Sequence, residues 1–127
     1  MEQIVEQLMP KLKSLLGEDT KFTDNQLDFA LEATIETILT YCHLDVLDWP
    51  IGLNNTAVLM TIDTLNENDR NLAMAGSEGG GDVKAITEGD FRIEHQSKTD
   101  FYKAMVSIAP TMTRNYAMKL NNFRKLG

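Results

Sequence analysis

A chain of 127 residues with 43% apolar and 24% charged side chains supports one domain around one hydrophobic core, and too little chain remains for a second. Its net charge of −7 argues against a body built to grip nucleic acid, because that affinity comes from neutralising phosphates. No apolar run approaches the roughly 20 residues of a membrane helix, and the acidic start (Met1-Glu2-Gln3-Ile4-Val5-Glu6) is unlike a secretory signal.

The first predicted helix covers 4–16, with Ile4, Leu8, Leu12 and Leu15 on one face beside Val5 and Leu16. Pro10 should interrupt or kink it, and Gly17 should stop it. The second has the clearest start in the chain. Thr23 and Gln26 form a capping box, and Phe22 and Leu27 occupy the two positions of a hydrophobic staple. Leu27, Leu31, Thr34, Ile35, Ile38, Leu39 and Cys42 then trace a core-facing stripe. Asp28, Glu32 and Glu36, one turn apart, place a carboxylate row on another face. Such a row is usually solvated surface; in an oligomer it can line a channel.

After His43 the chain turns through Trp49-Pro50, which should be extended because a residue before proline avoids helical dihedrals. Burying Trp49, the lone tryptophan, would contribute a few kcal/mol to the core. Asn54 or Asn55 is placed to cap a third helix over roughly 55–74, with Val58, Leu59, Ile62 and Leu65 facing inward. Gly76 to Asp82, rich in glycine, reads as a flexible loop. Phe91, Ile93 and His95 alternate with Arg92 and Glu94, as in a half-buried strand. Val83 to Thr87 would pair with it across the Glu88-Gly89-Asp90 turn. A fourth helix covers 99–109 with Thr99 as its cap, and Pro110 ends it or begins another. The final stretch puts Tyr116, Leu120 and Phe123 on one face, surrounded by Arg114, Lys119, Arg124 and Lys125. It reads as an amphipathic basic tail whose removal over 113–127 leaves a folded domain.

These elements predict a mainly α fold: a small bundle of four to five helices with one inserted β-hairpin. The single domain divides into a helical core over 4–75, a loop over 76–82, the hairpin over 83–95, and C-terminal helices with the tail over 99–127. Charge is segregated along the chain. Residues 1–100 carry all 19 acidic side chains and seven of the 12 basic ones, a net of −12, whereas residues 101–127 carry no acid and a net of +5. That asymmetry suggests an electrostatically guided contact for the tail, or a last helix whose cations complement its own dipole.

No catalytic constellation emerges. Adjacent Cys42 and His43 project about 100° apart on a helix, and Cys42 falls on the apolar stripe, so a buried structural cysteine is the simpler reading. As the lone cysteine it allows no internal disulfide, which fits synthesis in a reducing cytoplasm. With two histidines far apart, no zinc spacing exists. Asp63, Glu67 and Asp69 would suit magnesium but equally a solvated helix face. The 76–82 loop lacks the Lys-Ser/Thr ending of a phosphate-binding loop. No metal, cofactor or enzymatic activity is expected.

The order of features nevertheless forms a pattern. A short helix ending in Leu16-Gly17 precedes a longer one closing on Ile38-Leu39-Thr40-Tyr41-Cys42-His43. A proline-containing turn, a third helix and a glycine-rich loop lead to Val83-Lys84-Ala85-Ile86-Thr87-Glu88-Gly89-Asp90-Phe91-Arg92-Ile93. The chain closes on Leu120-Asn121-Asn122-Phe123-Arg124-Lys125-Leu126. Over about residues 10–126 this series resembles the head-to-tail connector (adaptor) proteins of long-tailed bacteriophages, also found in prophages. The resemblance implies a virion protein made in the bacterial host cytoplasm, without enzymatic activity. It would form a homo-oligomeric ring of about a dozen copies beneath the portal, with the next connector (a stopper or tail-terminator-like protein) docking below. Genomic DNA would pass through without specific binding. On that resemblance Arg114, Tyr116, Lys119, Phe123, Arg124 and Leu126 fall to portal contact, and Ile86, Phe91 and Ile93 to packing within the ring. An acidic wall suits a DNA conduit, so Asp28, Glu32 and Glu36 become candidates for the channel lining. The other readings are a small cytoplasmic helical interaction module outside any virion, and a nucleic-acid binder using the basic tail.

Overall fold

The computed structural model describes residues 2–17, 20–78 and 98–124. Those residues are mainly helical, in five α-helices: α1 (Glu2–Leu16), α2 (Asp24–Cys42), α3 (Asn54–Glu78), α4 (Lys98–Ile108) and α5 (Ala117–Asn121). Two 3₁₀ turns, Val46–Asp48 and Ile51–Leu53, join α2 to α3, and a third, Ala109–Arg114, follows α4. No strand occurs among the described residues. The β-hairpin expected over 83–95, with Ile86, Phe91 and Ile93, lies outside them and receives no support.

α1 runs unbroken through Pro10. Proline removes one backbone donor and crowds the carbonyl of Glu6; both residues are exposed, so water can solvate that carbonyl. The helix instead gains its hold from Ile4, Val5, Leu8 and Leu12, all buried. Gly17 ends it as the spacing requires: its φ is +86°, and its N–H donates to the Lys13 carbonyl at 2.9 Å.

α2 is the axis of the bundle and packs on α1, α3 and α4. Its start matches the sequence signal. The Gln26 N–H donates to Thr23 Oγ1 at 3.2 Å, the Thr23 N–H donates to Gln26 Oε1 at 2.9 Å, and the staple residues Phe22 and Leu27 are buried. All seven residues of its expected stripe are buried. Its end falls at Cys42–His43 as expected, but the form of the cap was not foreseen. His43 takes the left-handed conformation (φ 56°, ψ 41°), and the Leu44 N–H reaches back to the Leu39 carbonyl at 3.0 Å, closing a Schellman-type cap.

Pro50 is extended as expected, and Trp49 (φ −56°, ψ 117°) avoids the helical region without being fully extended. Trp49 is only half-buried, however, and its indole N–H donates to Asn54 Oδ1 at 2.7 Å. Asn55 accepts from Lys11, so both asparagines spend their side chains on neighbours instead of on the first turn of α3. Along α3, Val58 and Leu65 are buried and Ile62 is half-buried, but Leu59 is 46% exposed. The core is filled instead by Ala57, Met60, Thr61 and Thr64. The helix also continues through Gly76 to Glu78, overrunning the expected start of the loop. A glycine costs about 1 kcal/mol inside a helix, less than is needed to halt one already propagating.

Three buried threonines hold themselves within their own helices. Thr34, Thr61 and Thr64 donate to the carbonyls of Ala30, Ala57 and Met60 at 2.9, 2.7 and 2.8 Å. α4 starts at Lys98, with Thr99 inside it rather than capping it, and Phe101, Met105 and Ile108 are buried. Pro110 stands at the head of the 3₁₀ turn, where its fixed φ suits a first helical position.

Candidate functional site

The C-terminal segment is not a free arm. Leu120 of α5 is fully buried, and its carbonyl accepts the Cys42 thiol at 3.4 Å. Tyr41 donates to Asn121 Oδ1 at 2.8 Å, and Tyr116 donates to Asp63 Oδ2 at 2.5 Å. The Phe123 ring lies so close over Gly52 that a Cβ there would sit 2.6 Å from its Cζ. Met112, just upstream, is also buried. Removing 113–127 would therefore strip part of the core, and the expectation that a folded domain survives is withdrawn. Hydrophobic periodicity identified the right face, with Tyr116, Leu120 and Phe123 together, but could not say that this face was already occupied.

Charge remains on the outside of this strap. Arg114 and Lys119 are exposed, Lys119 Nζ lies 5.7 Å from the Phe123 ring centroid, and the Arg124 guanidinium lies 5.2 Å over the Tyr41 ring. Of the six residues assigned to portal contact, Arg114, Lys119 and Arg124 are thus exposed, Tyr116 and Phe123 are half-buried within the chain, and Leu126 lies outside the described residues.

The carboxylate row divides between two surfaces. Asp28 and Glu32 face α1 across an open cleft lined by Glu2, Val5 and Glu6, whereas Glu36 borders a groove on the α4 side. Burial, followed by repulsion from Glu36, Asp28 and Glu2, pushes the Glu32 carboxyl above the ordinary value. The groove runs between α2 and the α4–3₁₀ segment. Ala33, Thr37, Thr40 and Tyr41 form one wall and Val106, Pro110 and Thr113 the other. Its lining is mostly apolar, and Val106 and Tyr102 on the same helix are exposed. Phe29, one turn before Ala33, meets Tyr102 edge-to-face with centroids 5.7 Å apart.

Three further apolar side chains stand almost wholly in water: Leu47 (90% exposed), Ile51 (85%) and Met118 (89%). Sequence reasoning passed over them. The available signal was large apolar residues set in short turns or among cations, where no core can reach them.

The residues weighed for catalysis are dispersed. Cys42 is buried and its thiol is pushed above the ordinary value by that burial, while His43 is exposed at the cap. Asp63 accepts from Tyr116, Glu67 pairs with Arg70 at 2.6 Å, and Asp69 pairs with Lys21 at 2.6 Å, so the three carboxylates serve three different neighbours. Among the described residues no group of three His, Cys, Asp or Glu side chains converges as metal ligands, and no helix is long and apolar enough to cross a membrane. Compared with known proteins, the chain matches no family model, no curated protein and no solved structure.

Proposed function

We propose that this protein is a non-enzymatic virion subunit of the head-to-tail connector type. It forms a ring at the portal vertex that joins head to tail and lets DNA pass. The observation that carries the proposal is the surface of the bundle. An apolar groove and isolated exposed apolar side chains sit on a small domain whose acidic and basic residues are segregated. Such a surface suits repeated contacts between subunits, since a heterologous contact copied around an axis closes into a ring and each interface can be weak. The order of sequence features that resembles the phage connectors supports the same reading.

In this proposal the exposed cations Arg114, Lys119 and Arg124 meet the portal, and the cleft holding Asp28 and Glu32 faces the DNA path, where like charge keeps a polyanion from sticking. Electron microscopy and co-sedimentation of the full chain with portal rings test it. The triple variant Arg114→Glu, Lys119→Glu, Arg124→Glu should keep its helical spectrum and lose portal binding. If the unaltered chain neither forms rings nor binds any capsid component offered, the proposal is wrong.

A further inference from the structure

Four hydroxyls line the groove between α2 and the α4–3₁₀ segment, and all but that of Thr40 have their protons committed within the chain. Thr37 donates to the Ala33 carbonyl, Thr113 to the Pro110 carbonyl and Tyr41 to Asn121, each at 2.8 Å. Ala33, Val106 and Pro110 complete the lining. An apolar occupant therefore strands no donor there, whereas a polar one would leave its own acceptors unpaired. The two walls run in the same direction: Tyr102 meets Phe29 at one end, and Asn121 meets Tyr41 at the other. From Ala33 to Tyr41 the groove follows eight residues of α2, or about 12 Å.

Charge differs between its ends. Exposed Glu36 borders the groove about 7.5 Å before Tyr41 along α2. At the Tyr41 end the Arg124 guanidinium lies 5.2 Å over the ring, and exposed Arg114 follows Thr113 of the other wall. A cation over a ring still has N–H donors to give to a carboxylate. We infer that the groove is the seat for an apolar segment of the portal that carries a carboxylate at the Tyr41 end and a cation near Glu36. This rests on the reading of Arg114 and Arg124 as portal-facing, and it adds the chemistry of what they meet. The C-terminal strap of a second copy does not fit the same seat. Over residues 113–124 it carries Arg114, Lys119 and Arg124 and no acid, so it would set cation against cation at the Tyr41 end.

The test co-sediments the full chain with portal rings at low and high salt. Val106→Asp puts a charge on the apolar lining and should weaken binding roughly thirtyfold at every salt concentration. Arg124→Glu should weaken it about tenfold at low salt and much less at high salt, because it turns an attraction into a repulsion that ions screen. Both positions are exposed, and unchanged thermal melts show that the fold is intact. Thr40→Cys carrying a photo-crosslinker reads the occupant directly, since Thr40 is exposed in the groove whereas the native Cys42 is buried and escapes the label. The cross-link should fall on an apolar portal segment with an acidic residue at one end. Wild-type portal binding by Val106→Asp, or a cross-link to a second copy of this chain, overturns the groove assignment while leaving the connector reading standing. An unaltered chain that forms rings yet ignores the portal also overturns it. Failure of the unaltered chain to assemble with itself or with portal rings defeats both readings.

Discussion

Replacing Leu120 with alanine decides whether α5 is part of the core or an appendage resting on it. Leu120 is fully buried, and its carbonyl receives the Cys42 thiol. The truncation removes three carbon groups at about 0.8 kcal/mol each, and the cavity left behind brings the cost to about 3 kcal/mol. For a chain of this length that loss lowers the melting temperature by about 10 °C. Urea unfolding measures it as a lower midpoint at unchanged slope, which separates lost stability from a change in the surface exposed. Cys42 supplies an independent readout. Its thiol is covered in the native state, so a loosened α5 should speed its labelling by a disulfide reagent well before global unfolding. A stability change within about 0.5 kcal/mol of wild type, as for an ordinary surface substitution, together with wild-type labelling, would refute the packing described for the C-terminal strap.

Other substitutions probe the remaining features. His43→Gly should stabilise the protein by about 0.5–1 kcal/mol, because glycine occupies the left-handed cap of α2 without the strain a side chain incurs there; chemical denaturation reads the gain. Glu32→Gln should stabilise it at neutral pH by about 0.5–1 kcal/mol, since it relieves repulsion from Glu36 and Asp28, and the gain should shrink with salt. Because folding raises the Glu32 carboxyl, the wild type should gain relative stability as pH falls through that carboxyl's titration, and the variant should not. Tyr116 is pushed up to about 12 by burial and by its hydrogen bond to Asp63. Its stabilising contribution is therefore complete below the ordinary phenol value of 10.0 and lost as pH rises toward 12. Tyr116→Phe should flatten stability across that alkaline window and remove the late phenolate transition in near-ultraviolet titration.

What could be read from the residues divides along physical lines. Local chemistry was legible. The Thr23–Gln26 box and the α2 stripe depend on spacings of three or four residues, and both are present. Local breakers misled where cooperativity outweighed them: Pro10 sits inside α1 and Gly76 inside α3, because each disfavours only its own turn. Contacts across long separations were out of reach. Tyr116 and Asp63 are 53 residues apart, Cys42 and Leu120 are 78 apart, and no periodicity encodes either meeting. For the same reason the tail's apolar face was visible but its intramolecular seat was not. The carboxylate row was found as a row. Its division between two surfaces depends on α1 and α4 standing on opposite sides of it.

The self-contained hydroxyls of Thr34, Thr61 and Thr64 bear on how this interior can vary. Each is consumed by a carbonyl one turn earlier, so none asks a neighbouring helix for a matching donor or acceptor. At these sites shape alone decides fit, and valine, close to threonine in outline, leaves no polar atom stranded. Drift at these positions can proceed one residue at a time, without a compensating change on the facing helix. Descendants of this sequence would then differ at these three interior sites while keeping the same arrangement of helices.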